Sequence, residues 1–130
     1  MKKWIGITVS VILLITGIAY AKDYEAKKKA GDYDVEIKID KNPPAVGENN
    51  VKIEIRDTSG KYVTDAKVTV EYSMPAMQGM PAMNYKADTK LEGYEYKAAI
   101  NLSMSGSWNI TVKITRGEKT SKTRFSIDAQ

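Results

Sequence analysis

The amino-acid sequence predicts an all-β protein, an immunoglobulin-like antiparallel β-sandwich of about seven strands that follows an N-terminal signal or anchor segment. Apolar and polar residues alternate with period 2 in most segments after residue 33, and turns rich in glycine, proline and aspartate separate these segments. No segment beyond the N-terminus has the period of a long helix. Strands with one apolar face bury it against a second sheet, which favours a sandwich, with a five-stranded barrel as the alternative.

The N-terminus has the organisation of an export segment. Lys2 and Lys3 precede an apolar run, Trp4 to Ala19, that contains no acidic residue and ends in Ala19-Tyr20-Ala21, a pattern that signal peptidase cleaves. We therefore predict a signal peptide over residues 1–21. The alternative is a retained membrane anchor, because about 18 to 20 apolar residues can cross a bilayer. Either outcome predicts an extracytoplasmic domain, periplasmic or secreted.

The rest of the chain has the size of one domain. Residues 22–32 are charged and aperiodic, with three consecutive lysines at 27–29, and we interpret them as a flexible, charged linker. Residues 33–130 are then one β domain. The expected strands lie around Tyr33–Ile39, Val51–Ile55, Val68–Tyr72, Tyr85–Ala87, Tyr94–Leu102, Trp108–Ile114 and Phe125–Ile127.

Trp108 begins the sixth expected strand in period with the apolar residues that follow it. A large aromatic side chain at such a position is explained by burial between the sheets. We therefore expect Trp108 to be a core residue and not part of a ligand site.

Composition excludes several classes of function. Cleavage after Ala21 would leave 18 basic against 16 acidic residues, a net charge of only +2, and the basic residues alternate with acidic ones. This pattern describes a solvated sheet face, so we expect no nucleic-acid partner. The chain has no cysteine and no histidine, which removes thiolate chemistry, a lipoprotein anchor, the commonest general base and the commonest metal ligand.

The sequence predicts no enzyme. Asp57, Asp65 and Glu92 lie in predicted turns, and other carboxylates alternate along predicted strands, so paired carboxylates in a shielded cleft are not indicated. The serines at 103, 105 and 107 have no histidine to activate them. We assign no catalytic and no cofactor-binding residue.

One segment departs from the strand pattern, the tandem repeat Met-Pro-Ala-Met at residues 74–77 and 80–83, joined by Gln78-Gly79. Four of the six methionines fall here, at a spacing of three, and a further one is Met104 in a Ser-Met-Ser-Gly turn. Two prolines exclude a helix or a central strand, so the segment is a loop. A type II turn with Gly79 in its third position would bring the Cα atoms of Met77 and Met80 within about 7 Å.

Three interpretations of this loop are open. The methionines fill an open end of the sandwich as adaptable apolar side chains. Alternatively, their thioethers bind a soft monovalent ion, Cu(I) or Ag(I), for which they are suited over zinc, calcium or magnesium. In the third interpretation they form a contact surface for another protein. The candidate metal ligands are Met74, Met77, Met80, Met83 and Met104.

Three motifs in this order resemble the YtkA-like domain family, which is related to the FixH-like proteins. They are the methionine loop, Gly93-Tyr94-Glu95-Tyr96, and Met104-Ser105-Gly106-Ser107-Trp108, and the resemblance covers roughly residues 33–127. It implies an extracytoplasmic immunoglobulin-like domain associated with heavy-metal efflux and copper handling, and FixH-like relatives are linked to copper delivery during oxidase assembly. Many relatives have a histidine in or near the loop, and its absence here leaves Cu(I) or Ag(I) as the relevant metals.

The sequence therefore predicts an exported, non-enzymatic domain that binds Cu(I) or Ag(I) in heavy-metal handling or efflux. The alternative is an accessory module that contacts a membrane transporter or a cytochrome oxidase assembly complex through the methionine loop and the Trp108 end of the sandwich. A membrane association through the protein itself is expected only if the N-terminal segment is retained.

Overall fold

The computed structural model describes residues 23–130, and these residues form nine β-strands and no helix. In that range no helix has the length and apolar character needed to span a membrane. The predicted signal or anchor segment lies outside the described residues. The strands are β1 Tyr24–Ala30, β2 Tyr33–Ile39, β3 Gly47–Arg56, β4 Lys67–Met74, β5 Met83–Asp88, β6 Lys90–Glu92, β7 Glu95–Leu102, β8 Gly106–Arg116 and β9 Lys119–Ala129.

The strands form two antiparallel sheets, which confirms the all-β class. One sheet has the order β1-β2-β3-β7-β6 and the other has the order β5-β4-β8-β9. Alternate residues along β2, β3, β4, β8 and β9 are buried, as their period-2 patterns predict. The apolar faces of the two sheets share one core. Two separate sheets are present, so the alternative prediction of a single five-stranded barrel is wrong.

The structure corrects the expectation that residues 22–32 form a flexible, charged linker, because Tyr24–Ala30 form strand β1. Its three lysines lie on an edge strand, where Lys27 is opposite Glu36 and Lys29 is opposite Asp34, with Lys29 Nζ 2.8 Å from the Asp34 carboxylate. Cross-strand pairs of opposite charge stabilise a sheet, and lysines are common on exposed edges. Tyr24 also stacks on Phe125 of β9. The basic run is therefore part of the sheet.

The second unpredicted strand is β6, which has only three residues, all exposed, and pairs with β7. It is too short to show a periodic pattern, so nine strands replace the expected seven. The other strands correspond to the seven predicted ones.

Trp108 is fully buried, which confirms its prediction as a core residue. Its indole Nε1 donates a hydrogen bond of 3.0 Å to the carbonyl of Met104. Nearby, the Tyr72 hydroxyl reaches from β4 to accept a hydrogen bond from the main-chain amide of Asn101, at 3.3 Å. These contacts connect the two sheets and the 103–106 turn at one end of the molecule.

That end also holds residues 129–130 and the segment between β2 and β3. Gly106 pairs with Ala129, and the main chain of Gln130 donates to Pro44 and accepts from Val46. The methionine-rich segment begins where β4 ends, beside Gly106. We call this region the methionine end, defined by residues 44–47, 74–83, 103–106 and 129–130.

Candidate functional site

The methionine-rich segment is the connection between β4 and β5, and it is folded as an extended hairpin. Met74 is the last residue of β4 and lies directly opposite Met83, the first residue of β5. Three residues further along, Met77 and Met80 lie opposite each other as an isolated bridge. The four methionines therefore form two cross-strand pairs, one at the base of the hairpin and one at its tip.

The tip has the geometry that the sequence predicts. The Met77 amide donates to the Met80 carbonyl at 3.0 Å, and the Met80 amide donates to the Met77 carbonyl at 2.8 Å. Gly79 has a φ of +82°, whereas Gln78 does not have a positive φ. Glycine in the third position with positive φ is the requirement of a type II turn. The turn prediction is therefore confirmed, and two hydrogen bonds hold the tip pair.

The base pair lies in a different environment from the tip pair. Met74 is 3% exposed and belongs to the core, and Met83 is partly buried against it. By contrast, Met77 is 48% exposed and Met80 is 38% exposed. The filler interpretation therefore describes the base, whereas the tip pair is accessible to a ligand.

Met104 lies next to the hairpin base. Its neighbour Ser103 donates a hydrogen bond to the Met83 sulfur at 3.6 Å, and Met104 itself is partly buried against the core. On the other side of the turn, a Cβ atom added to Gly106 would lie 3.1 Å from the Met74 methyl group. The 103–106 turn thus packs on the base pair, and the structure brings all five candidate methionines to one end of the molecule.

An aromatic cluster that the sequence analysis did not identify supports the hairpin. Tyr72 and Tyr85 lie directly opposite each other on β4 and β5, with ring centroids 5.4 Å apart, and each ring is 6.1 Å from that of Trp108. Such spacing is typical of favourable aromatic pairs. The type II turn at Gln78-Gly79 predicts this register, because a two-residue loop determines which residues of the two strands are opposite.

The hairpin carries no charge from residue 74 to residue 83. Among residues 23–130, no group of three or more histidine, cysteine, aspartate or glutamate side chains is placed to hold a metal ion. The groups of the hairpin that could bind a metal ion are thus the thioether sulfurs, the Gln78 side-chain amide and main-chain carbonyls. Thioethers favour soft metal ions, and none of these groups gains or loses a proton near neutral pH.

Asp40, which directly follows the last residue of β2, is a carboxyl group whose pKa is lowered. Burial acts to raise the pKa of Asp40, but hydrogen bonds from the main-chain amide and side chain of Asn50, both 2.9 Å, outweigh it and lower the pKa. Asp40 therefore stays ionised, and its two hydrogen bonds with Asn50 join the end of β2 to β3.

The fold and the hairpin together define a class, a small two-sheet β domain with a methionine-rich hairpin at one end. The YtkA-like family model matches residues 27–113, about two thirds of the chain, from within β1 to within β8. The chain therefore belongs to the YtkA-like family. No curated protein matches the chain.

Proposed function

We propose that this protein is an exported, non-catalytic binding domain that takes up Cu(I) or Ag(I) at the tip of the methionine hairpin. The observation that carries the proposal is the pairing of Met77 with Met80 by two main-chain hydrogen bonds while both side chains remain exposed. Directly opposite residues in such a pair have Cα atoms about 5.5 Å apart. Two flexible thioethers thus start close together on a fixed main chain.

In this proposal the metal ion is cargo and not a resident cofactor. The thioether sulfur is a soft ligand, so it favours soft monovalent metal ions. Cu(I) and Ag(I) accept neutral sulfur ligands, whereas magnesium and calcium require oxygen donors and zinc sites use thiolate, imidazole or carboxylate. Met83 and Met104 provide additional thioethers at the partly buried base. Met74 contributes to packing, because its side chain is enclosed by the core.

The strand order supports the finer inference of an immunoglobulin-like fold. Strands β2, β3, β7 and β6 lie in the order of strands A, B, E and D of an immunoglobulin constant domain, and β4, β8 and β9 lie in the order of C, F and G. β5 is then an added edge strand beside C, and β1 an added strand beside A. An extracytoplasmic location follows in this proposal from the export segment that the sequence predicts.

A competition titration with Cu(I), or with Ag(I), tests the proposal on three proteins. Met77→Leu with Met80→Leu removes both tip sulfurs and keeps most of the apolar volume, so we expect at least about a tenfold loss of affinity, which is 1.4 kcal/mol. The unfolding free energy should change by less than about 1.5 kcal/mol. Affinity in the wild type should also vary little between about pH 5 and 8, because thioethers bind without losing a proton.

The matched control is Met74→Leu, the same chemical change at a buried position of the same hairpin. It should leave the affinity unchanged. Equal affinities for wild type and the Met77/Met80 variant would refute metal binding at the tip, and an equal loss in the Met74→Leu variant would place binding elsewhere in the hairpin.

A second candidate function is docking of this end on a membrane transporter or an oxidase-assembly component. The observation that favours it is that the methionine end has exposed apolar side chains on two of its segments, Val46 at 45% and the tip pair Met77 and Met80 at 48% and 38%. Flexible methionines are common at adaptable protein contacts. A pull-down from membranes that depends on the hairpin but not on copper would support this function, and retention of every partner after replacing residues 75–82 with Gly-Ser repeats would exclude it.

A further inference from the structure

The outer face of the five-stranded sheet carries its charges in rows that run across the strands. One row contains four lysines, because Lys38 of β2 is opposite Lys52 of β3, Lys52 is opposite Lys97 of β7, and Lys97 is opposite Lys90 of β6. All four are exposed or half-exposed. The register therefore builds a continuous basic row across four strands.

The adjacent row contains four glutamates. Glu36 of β2 is opposite Glu54 of β3, Glu54 is opposite Glu95 of β7, and Glu95 is opposite Glu92 of β6. Two residues along a strand separate the rows, which corresponds to about 7 Å. The face thus presents a basic stripe and a parallel acidic stripe of equal length.

Like charges directly opposite each other destabilise a sheet, so these rows have an energetic cost. Within the described part of the chain, Lys97 pairs with Glu92 at 3.1 Å and with Glu95 at 3.9 Å, and Lys27 of β1 lies 4.0 Å from Glu36. In the same range, Lys38, Lys52 and Glu54 make no ion pair within 4.0 Å. On β1 the order of signs is reversed, because Glu25 is opposite Lys38 and Lys27 is opposite Glu36. At the centre of the face, Lys52 and Glu54 are therefore charged side chains outside the ion pairs of the described residues.

We propose that this face binds a second copy of the same chain, sheet to sheet, with the lysine row of each copy over the glutamate row of the other. In this arrangement a two-fold axis lies in the plane between the two sheets, parallel to the rows and midway between them. Rotation about this axis places the lysine row of one copy over the glutamate row of the other, and the same surface is used by both copies, as an isologous interface requires. It places Lys52 over Glu54 of the second copy and Lys38 over Glu36 of the second copy. A polymer of a single charge sign fits this face less well, because one stripe would always repel it.

An exposed aromatic pair on the same face adds an apolar contact to this arrangement. Tyr62 and Tyr94 stack with ring centroids 4.3 Å apart, and the Arg56 guanidinium lies 4.8 Å above the Tyr62 ring. Arg56 of β3 has β2 on one side, where it is opposite Asp34, and Tyr62 on the other side. Because β7 also lies on that other side of β3, Tyr62 is in line with β7. The two-fold axis therefore brings Tyr62 towards Ala99 of the second copy, a small exposed residue of β7.

The size of the face limits the strength of this dimer. The face is five strands wide, at a spacing of about 4.8 Å, and about seven residues long, which gives an area of roughly 550 Å² per copy. A typical stable interface buries about 800 Å² per partner. We therefore expect weak, reversible association with a dissociation constant between about 10 μM and 1 mM. The axis would also direct the two methionine ends away from each other, so this inference is independent of metal binding.

Sedimentation of the full chain and of two charge-reversal variants of it tests the proposal. Lys38→Glu with Lys52→Glu makes both stripes acidic at their centre, and Glu36→Lys with Glu54→Lys makes both basic. At about 0.01 M salt, each variant alone should self-associate at least about tenfold more weakly than the wild type. An equimolar mixture should restore association, because acidic residues of one variant then face lysines of the other. The wild-type dimer should weaken at about 1 M salt, where charges are screened.

The matched control is Lys113→Glu with Lys122→Glu, because these two lysines are also directly opposite each other, on the outer face of the other sheet. This variant should associate like the wild type, and equal weakening would show an effect of net charge alone and overturn the proposal. A wild type that is monomeric at about 1 mM and low salt, or a mixture that associates no better than its components, would also overturn it. Variants that failed to fold would not recover association on mixing, so the mixture separates misfolding from loss of the interface.

Discussion

Two glycines at the methionine end show how much of the candidate site depends on single residues. Gly79 forms the turn at the tip with nothing within 4 Å of the position that a Cβ atom would occupy, whereas Gly106 has a φ of +127° and the Met74 methyl group at 3.1 Å. Both positions are in the left-handed half of φ space, which costs other residues conformational energy. Of these two glycines, only Gly106 combines this cost with a close contact.

We predict that Gly79→Ala lowers the unfolding free energy by about 1 to 2 kcal/mol, because alanine tolerates positive φ poorly. Gly106→Ala should lower it further, because the new methyl group also displaces the end of the Met74 side chain. Urea denaturation of the two variants measures the difference. Equal stability of the Gly106→Ala variant and the wild type would contradict the packing described here.

At the scale of elements, one tyrosine connects a long loop to the five-stranded sheet. Tyr96 of β7 is 2% exposed, and its hydroxyl donates to the Val63 carbonyl at 2.9 Å and accepts from the Ala66 amide at 3.2 Å. Burial raises the pKa of the Tyr96 hydroxyl, so it remains a neutral donor at physiological pH. The 57–66 loop is therefore held by a side chain and not only by its own turn.

We predict that Tyr96→Phe lowers the unfolding free energy by about 1 to 3 kcal/mol, because the change leaves the buried Val63 carbonyl and the partly buried Ala66 amide without this partner. Tyr62→Phe is the control, since Tyr62 is 36% exposed, its hydroxyl bonds only to the exposed Arg56 guanidinium among the described residues, and water can replace that bond. It should change the unfolding free energy by no more than about 0.5 kcal/mol. Similar losses in the two variants would argue against a specific role for Tyr96.

At the scale of the whole molecule, the domain begins earlier than the sequence indicates. β1 extends the five-stranded sheet beyond β2, and its first residue packs on Phe125 of the other sheet. Gly31 lies close to the Ser121 side chain, so the β1–β2 turn also contacts β9. The segment that carries the lysine run thus covers one side of the domain.

We predict that amides of Tyr24–Ala30 that bond to β2 exchange their hydrogens more slowly than the same residues in a free peptide. Edge strands open more readily than central ones, so protection should be smaller than in β3 or β8. Hydrogen exchange followed by NMR measures both. Exchange at free-peptide rates throughout β1 would restore the interpretation of residues 22–32 as a linker.

The sequence by itself determined the all-β class, seven of the nine strands within residues 23–130 and the turn at the methionine tip. Each of these depends on local information: alternation of apolar and polar residues marks a half-buried strand, and a glycine in the third turn position specifies a type II turn. Trp108 was predictable for the same reason, since it continues the period of Ile110 and Val112.

Only the tertiary structure decided which methionines are buried, that β1 is a strand, and that lysines and glutamates lie in separate rows. Met74 and Met77 belong to the same repeat, but only Met74 lies under the 103–106 turn, which is distant in sequence. The lysine run of β1 is a strand because it pairs with β2, where carboxylates lie opposite two of its three lysines. These features depend on which strands are neighbours and in which register, and such pairings are not encoded in the period of any one segment.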